Sequence, residues 1–388
     1  MEFSFTDDQI AVRDAIAKLC EKYDDAYWLE RDTDGQFPED FVKDMADGGW
    51  LGIAMPEEYG GSGLGVIEAA LMMQTIAESG AGFSGASAVH INIFGPHPLV
   101  VHGTDEQKQK HLPALIAGRD RSCFGVTEPN AGLDTTRIET KAVRKGDHYI
   151  VNGRKMWTST AQTANKILLL ARTTPREEGK KPTDGITMFY TDFNREYCEA
   201  KVIEKMGRKA VDSNATFYDN LPVPVEDRVG EEGKGFYYIL DGLNPERILV
   251  ASESVGLGRA ALRKAVAYAN ERVVFDRPIG QNQAIQHPLA DAWAHLEAAD
   301  AMTWRAAALY DAGEPCGAEA NAAKYLAAEA CFTTCERAVM THGGMGYAKE
   351  FHVERYLRES FIARIAPVSR EMILNFIGQH VLKMPRSY

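Results

Sequence analysis

The sequence predicts an α+β protein with three domains, in which a β domain lies between two helical domains. The first observation is a change of hydrophobic periodicity: apolar residues recur at helical spacing near both ends, whereas short alternating segments fill about 120–228. The second is the length of 388 residues, which exceeds a single typical core. We expect an N-terminal α-helical domain at 1–119, a middle β-barrel or sandwich at 120–230, and a C-terminal helical bundle at 231–388.

The composition excludes several classes of protein. A hydrophobic content of 45% and a charged content of 25% are typical of a globular protein in water. The net charge of −12 argues against nucleic acid as a partner, although a local site can still bind an anion. No apolar run reaches the roughly 20 residues of a membrane span, and the acidic N-terminus resembles neither a signal peptide nor a transit sequence. Six cysteines in so long a chain, and no third ligand beside Cys331 and Cys335, predict a reducing cytoplasm and no metal site.

Residues 5–118 are predicted to be helical. Ile10, Ile16 and Leu19 recur at helical spacing, and the apolar run 66–76 continues the pattern. Thr104 is placed to cap a further helix. The glycine-rich stretch 56–63 is a loop, and a phosphate cradle is one interpretation of it, but a single glycine cluster is a weak signal.

The middle segment begins with a predicted hairpin, with strands at 140–143 and 149–151 around the turn 145–147. Further strands are predicted at 167–171, 186–190, 198–204 and 216–221. Trp157 and Ser159 are alternate residues of a strand and should point to the same face. An aromatic ring beside a hydroxyl suits a flat, nitrogen-rich ring such as a flavin. An ordinary hairpin with a half-buried Trp explains this stretch equally well.

The chain becomes helical again from Phe236, with alanine-rich helices predicted at 258–271, 284–312 and 317–340. Arg272, Phe275 and Gln283 follow a helix end and would suit the pyrophosphate and adenine of a dinucleotide. Helix capping by the arginine, with a packed Phe, is the alternative. The two glycines at 343–344 permit close approach of the backbone to a cofactor, or simply end a helix.

Two motifs of the chain resemble the signatures of the acyl-CoA dehydrogenase family. The first is Glu128-Pro-x-Ala-Gly-x-Asp134 followed by Met156-Trp-Thr-Ser159, and the second begins His342-Gly-Gly-Met-Gly-Tyr. The helical, β, helical order is similar to that family over essentially the whole chain. The resemblance implies the acyl-CoA dehydrogenase fold, FAD as cofactor and an acyl-CoA substrate. It also implies an electron-transfer flavoprotein as electron acceptor and a homotetramer built as a dimer of dimers.

The resemblance assigns FAD contacts to three groups of residues. The first group would hold the FAD bound to the same subunit, and in it Ser159 would donate a hydrogen bond to the reactive flavin nitrogen N5. The residues of this group are Phe124, Val126, Thr127, Gly132, Leu133, Trp157, Thr158 and Ser159. The second group would hold the FAD of a neighbouring subunit: Arg272, Phe275, Gln283, Met340, Gly343 and Gly344. Ser369 and Glu371 would lie near the cofactor. Two substitutions depart from the family pattern, because Leu133 cannot donate a hydrogen bond as the usual Ser does, and Met340 lacks the amide of the usual Gln.

The base for the proton chemistry is not where most of the family has it. Taking a proton α to a thioester carbonyl requires a carboxylate of raised pKa and hydrogen-bond donors for the thioester oxygen. The usual Tyr-Glu-Gly-Thr is replaced here by Ala-Pro-Val-Ser at 366–369. We therefore assign the base to Glu246, which directly precedes an Arg, as in isovaleryl-CoA and long-chain acyl-CoA dehydrogenases. The competing candidates are Glu371 as base, and a purely structural first-turn Glu246 that complements the helix dipole.

The substrate contacts are expected from Leu133, Asn244 and Arg247. Pro367 has no N–H for the thioester oxygen. Either Val368 donates from a shifted loop, or the oxyanion site is weaker, or the alignment is off by one residue. The sequence does not reveal the length or branching of the acyl chain. The leading hypothesis is FAD-dependent α,β-dehydrogenation of an acyl-CoA to the trans-2-enoyl-CoA. A non-catalytic or partner-dependent subunit of a heteromeric dehydrogenase, and a flavin oxidase on the same fold, are the alternatives.

Overall fold

The computed structural model describes residues 4–177 and 181–387. Its N-terminal part is helical, as predicted. Thr104 caps the seventh helix: its hydroxyl accepts from the Gln107 amide at 3.2 Å, and the Gln107 side chain bonds the Thr104 N–H in return. The helices are α1 (Asp7–Cys20), α2 (Asp25–Asp34), α3 (Glu39–Asp47), α4 (Val66–Ile76), α5 (Gly82–Phe94), α6 (His97–His102) and α7 (Asp105–Ile116).

The glycine-rich stretch before α4 closes on itself. The Gly61 amide donates to Pro56 O at 3.1 Å, the Ser62 amide to Gly52 O at 3.0 Å, and the Gly63 amide to Met55 O at 2.8 Å. Because these amides are bonded to the chain's own carbonyls, they are not available to a phosphate. The loop is therefore a structural turn and not a phosphate cradle.

The β domain is one sheet, in which the strands run in the order β6-β7-β3-β2-β4-β5-β8 and β1 pairs in parallel with β4. The predicted hairpin is present, although Lys145 pairs with His148, so the turn has only two residues. The strands are β1 (Ser122–Gly125), β2 (Lys141–Lys145), β3 (His148–Ser159), β4 (Lys166–Arg172), β5 (Ile186–Asp192), β6 (Cys198–Val202), β7 (Ser213–Pro224) and β8 (Arg228–Val229).

Both faces of the sheet are buried, as β4 illustrates. Ile167 and Leu169 belong to a core made of strand residues, including Tyr149. The alternate residues Leu168 and Leu170 pack in a second core with leucines of α6 and α7. This alternation follows from the period of two along a strand. It fixes the β domain against the N-terminal helices.

The C-terminal part is a helical bundle around α9, as predicted. α9 begins at Leu243, within the part predicted to be helical, and its residues 248–258 are buried on all sides, so that they show no amphipathic period. The elements are α8 (Gly235–Asp241), α9 (Leu243–Glu271), the two-stranded sheet β9 (Val273–Val274) and β10 (Arg277–Pro278), α10 (Gln283–Asp311), α11 (Gly317–His342), α12 (Val353–Ile365) and α13 (Arg370–Phe376).

The six cysteines are all buried and unbridged, and Cys331 and Cys335 pack in the core along α11. Over residues 4–177 and 181–387, no group of three or more His, Cys, Asp or Glu side chains could hold a metal ion. In the same part of the chain, no helix has both the length and the apolar character that crossing a bilayer requires.

Candidate functional site

The loop after β1 is fastened to β3 by a buried ion pair. The Lys155 ammonium, which has no exposed surface, donates to Glu128 Oε1 at 2.8 Å and to Val126 O at 3.0 Å. The Glu128 carboxylate also accepts from the amides of Glu139 and Thr140. Burial alone would raise the pKa of Glu128, but Lys155 and these donors hold that pKa below its usual value. The pair therefore gives the loop one fixed position beside β3.

This fixed loop presents the predicted contact residues at the surface. Phe124, Val126 and Thr127 are half-buried, and Gly132 and Leu133 are exposed. A Cβ added at Gly132 would meet nothing within 4 Å, so open space lies above it. Leu133 is 64% exposed in the single chain, which is unusual for so large an apolar side chain. The surface has room for a bound ring.

The end of β3 carries a bulge that exposes Trp157. Lys155 pairs with Thr216 and Thr158 with Asn214, so β3 has one residue more than β7 between these pairs. Trp157 sits at φ +62° and is 56% exposed. Such a backbone conformation in a bulky residue is an outlier that needs a reason. A ligand that packs on the indole would supply one.

Ser159 and Thr158, the other two predicted residues of this strand, differ in accessibility. The Thr158 side chain is fully buried and lies 3.3 Å from the Thr216 hydroxyl. It therefore has no side-chain surface for a ligand, and only its backbone is left for one. Ser159 is half-buried, and its hydroxyl accepts a hydrogen bond from Arg208 at 3.0 Å.

The predicted base, Glu246, lies in the first turn of α9, next to a proline, as expected. Within the described residues its carboxylate has no hydrogen-bond or ion-pair partner. Burial raises the pKa of Glu246, and the positive groups His90 and Arg247 reduce that rise. A carboxylate of this kind is suited to accept a weakly acidic proton.

Asn244 and Arg247, predicted to contact the substrate, are brought together. Arg247 Nη1 donates to Asn244 Oδ1 at 3.0 Å, while its buried Nε has no partner in the described part of the chain. The pair flanks Glu246 on the same helical turn. The Arg247 Nε–H can therefore donate a hydrogen bond to an acceptor atom of a bound ligand.

The segment that replaces the usual catalytic loop lies beside α11. The buried Lys324 ammonium donates to Val368 O at 2.7 Å, directly after Pro367. Burial lowers the pKa of Lys324 to about 8. Ser369 caps α13 by accepting from Met372 N at 3.3 Å, and Glu371 is exposed beside Arg370. An exposed carboxylate next to an arginine is a poor candidate for a general base, so this geometry favours Glu246 over Glu371.

Sequence reasoning missed a buried charged cluster between the two halves of the site. His90 Nδ1 of α5 lies 2.6 Å from Glu253 Oε1 of α9, two turns from Glu246 on the same helix. Burial alone would lower the pKa of His90, but Glu253 raises it. Ser87, one turn before His90, accepts from Arg208, which also bonds Ser159. Through α5 the cluster therefore connects Ser159 in the sheet to Glu253 of α9, the helix that also carries Glu246.

Only one signal for this cluster was available in the sequence. Glu253 is a single carboxylate inside the apolar stretch 248–257, which indicates a buried partner. Nothing in the sequence singles out Arg208, which follows Gly207 in a loop between β6 and β7.

The second predicted group of cofactor residues lies exposed on the helical domain. Phe275 is 93% exposed at φ +53°, and Met340 is 66% exposed. Arg272 and Gln283 are also exposed, at the end of α9 and the start of α10. A Cβ at Gly343 or Gly344 would meet nothing within 4 Å. Exposed apolar side chains of this size are typical of a surface that another chain covers.

The residues present fit a flat cofactor ring. Trp157 offers an open aromatic face, Gly132 gives unfilled space, and Ser159 retains a hydroxyl proton with no acceptor in the described part of the protein. These are the features that the isoalloxazine of a flavin requires: a stacking surface, a close backbone and a donor for a ring nitrogen.

Comparisons with known proteins cover all three parts of the chain. Three family models match: "Acyl-CoA dehydrogenase, N-terminal domain" at residues 6–119, "Acyl-CoA dehydrogenase, middle domain" at 123–221 and "Acyl-CoA dehydrogenase, C-terminal domain" at 233–382. The acyl-CoA dehydrogenase fadE12 of Mycobacterium bovis is 36% identical over 399 residues, with 100% of this chain and 99% of the relative covered.

Two further similarities extend this result. The caffeyl-CoA reductase–Etf complex subunit CarC of Acetobacterium woodii is 36% identical over 334 residues, with 85% of this chain and 86% of the relative covered. The solved structure of butyryl-CoA dehydrogenase from Megasphaera elsdenii superposes with a TM-score of 0.93 at 30% identity, covering 98% of this chain and 100% of that one. The similarity therefore includes the fold, the order of domains and nearly the full length.

Proposed function

The chain belongs to the acyl-CoA dehydrogenase family, and we propose that it oxidises an acyl-CoA to the trans-2-enoyl-CoA with Glu246 as base. Members of this family are FAD-dependent oxidoreductases. One observation carries the proposal: Glu246 is a carboxylate of raised pKa without a bonded partner in the described residues, and it lies on α9, which α5 joins through Glu253 to Ser159, two residues from the exposed Trp157. In this proposal the base and the ring-binding surface form one site.

The reaction removes a proton and a hydride from adjacent carbons. The Glu246 carboxylate takes the proton from the carbon α to the thioester, and bound FAD supplies the acceptor for the hydride from the β carbon. Because burial raises the pKa of Glu246, this carboxylate is a stronger base than an exposed one. Two electrons leave the substrate as the hydride, and a carbon–carbon double bond forms.

The neighbouring residues serve to bind and orient. Trp157 would provide the stacking surface and Ser159 the donor to flavin N5, and Phe124, Val126, Thr127 and Gly132 would help to hold the cofactor. Asn244 and Arg247 lie on the turn that carries Glu246, and we assign them to the thioester end of the substrate. Leu133 would contact the same ligand through its apolar surface.

The electron acceptor in this proposal is an electron-transfer flavoprotein. The name of the relative CarC, a subunit of a reductase–Etf complex, supports that choice. The exposed Phe275 and Met340 support a homotetramer in which each subunit completes a neighbour's FAD site, together with Arg272, Gln283, Gly343 and Gly344. We expect a cytoplasmic location, which the six unbridged cysteines support.

The first experiment asks whether the purified chain alone is a flavoprotein that acyl-CoA reduces. We expect a yellow protein whose visible absorbance bleaches with at least one member of a panel of straight and branched acyl-CoAs under anaerobic conditions. A colourless chain that becomes yellow only with a second protein would support the partner-dependent subunit, which the replacement of the usual base by Pro367 also favours. Rapid reoxidation of the bleached protein by oxygen would support an oxidase.

The second experiment tests the base. Glu246→Gln should bind acyl-CoA but slow bleaching by about 10²–10⁴-fold, the usual contribution of a general base. Glu371→Gln changes the competing carboxylate in the same way and should slow bleaching far less, because Glu371 is exposed. Normal bleaching by Glu246→Gln, or a larger loss in Glu371→Gln, would show that the assignment of the base is wrong.

A further inference from the structure

Arg208 joins three elements of the site through hydroxyl groups. Its Nη2 atom donates to Ser159 Oγ of β3 at 3.0 Å and to Ser213 Oγ of β7 at 3.4 Å, and its Nη1 atom donates to Ser87 Oγ of α5 at 3.3 Å. Its hydrogen-bond partners over residues 4–177 and 181–387 are all neutral. A guanidinium group, which stays protonated in proteins, therefore lies directly beside Ser159.

The position of Arg208 is energetically unfavourable in two respects, its hydrogen bonding and its backbone conformation. Its Nε atom is shut off from solvent without a hydrogen-bond partner. The carboxylates that act on it, Glu253, Glu359 and Asp212, do so without forming an ion pair in the described part of the molecule. Its backbone sits at φ +54°, a conformation that a non-glycine residue rarely adopts. A half-buried guanidinium with a buried, unpaired Nε atom on a strained backbone is typical of a functional position.

The contact with Arg208 determines what the Ser159 hydroxyl can do. A serine hydroxyl has one proton to donate and lone pairs with which to accept. Arg208 occupies an acceptor position of Ser159, and the described residues offer no acceptor for the Ser159 proton. That proton is therefore available to an acceptor atom of a bound ligand, and Ser159 acts as a donor.

We infer that Arg208 is a positioning residue that holds Ser159 as hydrogen-bond donor to flavin N5 and places a positive charge beside the ring, favouring its reduced form. The inference rests on the proposed function, in which Ser159 contacts N5. Accepting a hydride adds negative charge to the ring, and a positive group in a site of low dielectric stabilises that charge. Arg208 thus acts on the electron side of the reaction, whereas Glu246 acts on the proton side.

The test is the midpoint potential of the FAD-loaded protein, measured by equilibration with a reference dye. Arg208→Met should shift the ratio of reduced to oxidised flavin by about tenfold or more towards the oxidised form, which is about 30 mV for a two-electron couple. Arg208→Lys keeps the charge and should recover most of the potential. Lys209→Met removes a charge from the next residue, which has no hydrogen bond in the described part of the chain, and should leave the potential unchanged.

Two further variants separate orientation, charge and structure. Arg208→Gln keeps hydrogen-bond donors but removes the charge, so it should lower the midpoint potential as Arg208→Met does. If Arg208→Met does not retain FAD, the potential of Arg208→Gln is the measurement that decides. Ser87→Ala breaks only the contact with α5 and should leave the potential where it is. A potential that falls in Ser87→Ala but not in Arg208→Gln would assign Arg208 a structural role and overturn the inference.

The two proposals fail in different ways. If the wild-type chain binds no FAD, or if no acyl-CoA bleaches it, the proposed function fails. If the wild type is bleached normally and the Arg208 variants keep its midpoint potential, only the role of Arg208 is overturned.

Discussion

The two charged residues that border the site, Lys155 in the sheet and Glu246 in the helical bundle, are satisfied to different degrees. Lys155 donates to the Glu128 carboxylate at 2.8 Å and to Val126 O at 3.0 Å. Glu246 has neither a hydrogen bond nor an ion pair with the residues that the structure describes, and its neighbour Arg247 leaves Nε unpaired. The Lys155–Glu128 ion pair is complete within the chain, whereas, among the described residues, Glu246 and Arg247 leave a free carboxylate and a free N–H for a ligand.

The difference separates charges that hold the fold from charges that carry out chemistry. The pKa of Glu128 lies below its usual value because Lys155 and two amides outweigh burial. The pKa of Glu246 lies above its usual value because burial outweighs the nearby positive groups. Most polar groups that are withdrawn from water are bonded within the protein, so a half-buried carboxylate of raised pKa without a bonded partner marks a candidate functional group.

The largest effect on stability is expected from breaking the complete pair. Lys155→Met leaves the Glu128 carboxylate buried without a counter-ion, so we expect a loss of about 3–5 kcal/mol in the free energy of unfolding. Urea denaturation would measure it. Lys43→Met, which breaks the exposed pair with Asp47, should leave the denaturation curve unchanged. Equal curves for Lys155→Met and the wild type would contradict a structural role for the buried pair.

The pH dependence of bleaching tests the role of Glu246 and of its neighbour Arg247. Glu246 must be ionised to accept a proton, so the bleaching rate should fall about tenfold per pH unit below its pKa. Because that pKa is raised, the midpoint should lie above the ordinary value of 4.5. Arg247→Met removes a charge that favours the carboxylate and should move the midpoint to higher pH. A wild-type midpoint at or below 4.5 in stopped-flow measurements would show that Glu246 is not the titrating base.

The smallest expected effect is on the free energy of unfolding, and it compares the carboxylates of Glu246 and Glu128 directly. A carboxylate whose pKa is raised by folding destabilises the folded state above its unfolded pKa. Glu246→Gln should therefore raise the free energy of unfolding near neutral pH by about 0.5–2 kcal/mol, as relief of an active-site penalty often does. That gain should vanish as the pH falls below the unfolded pKa. Glu128→Gln should have the opposite sign, and thermal unfolding of both variants would compare them.

Much of the fold could be predicted because local burial leaves a periodic pattern. The strand β5 and the helices α10 and α11 lie within a few residues of their predicted bounds. The alanine-rich segment 258–271 marks only the second half of α9, because residues 248–258 are buried on all sides and show no amphipathic period. The prediction ended β7 at residue 221, because Pro222 and Pro224 interrupt the usual composition of a strand. In the structure β7 continues to Pro224.

The sequence by itself determined the order of domains, the motif that contains Trp157 and Ser159, and the replacement of the usual base by Pro367, because these depend on residue type and local spacing. Only the tertiary structure decided which side chains meet. Arg208 reaches Ser159, and His90 reaches Glu253, across 49 and 163 residues of chain. Such contacts depend on how the sheet, α5 and α9 pack together, and hydrophobic periodicity records that a residue is buried but not against which partner.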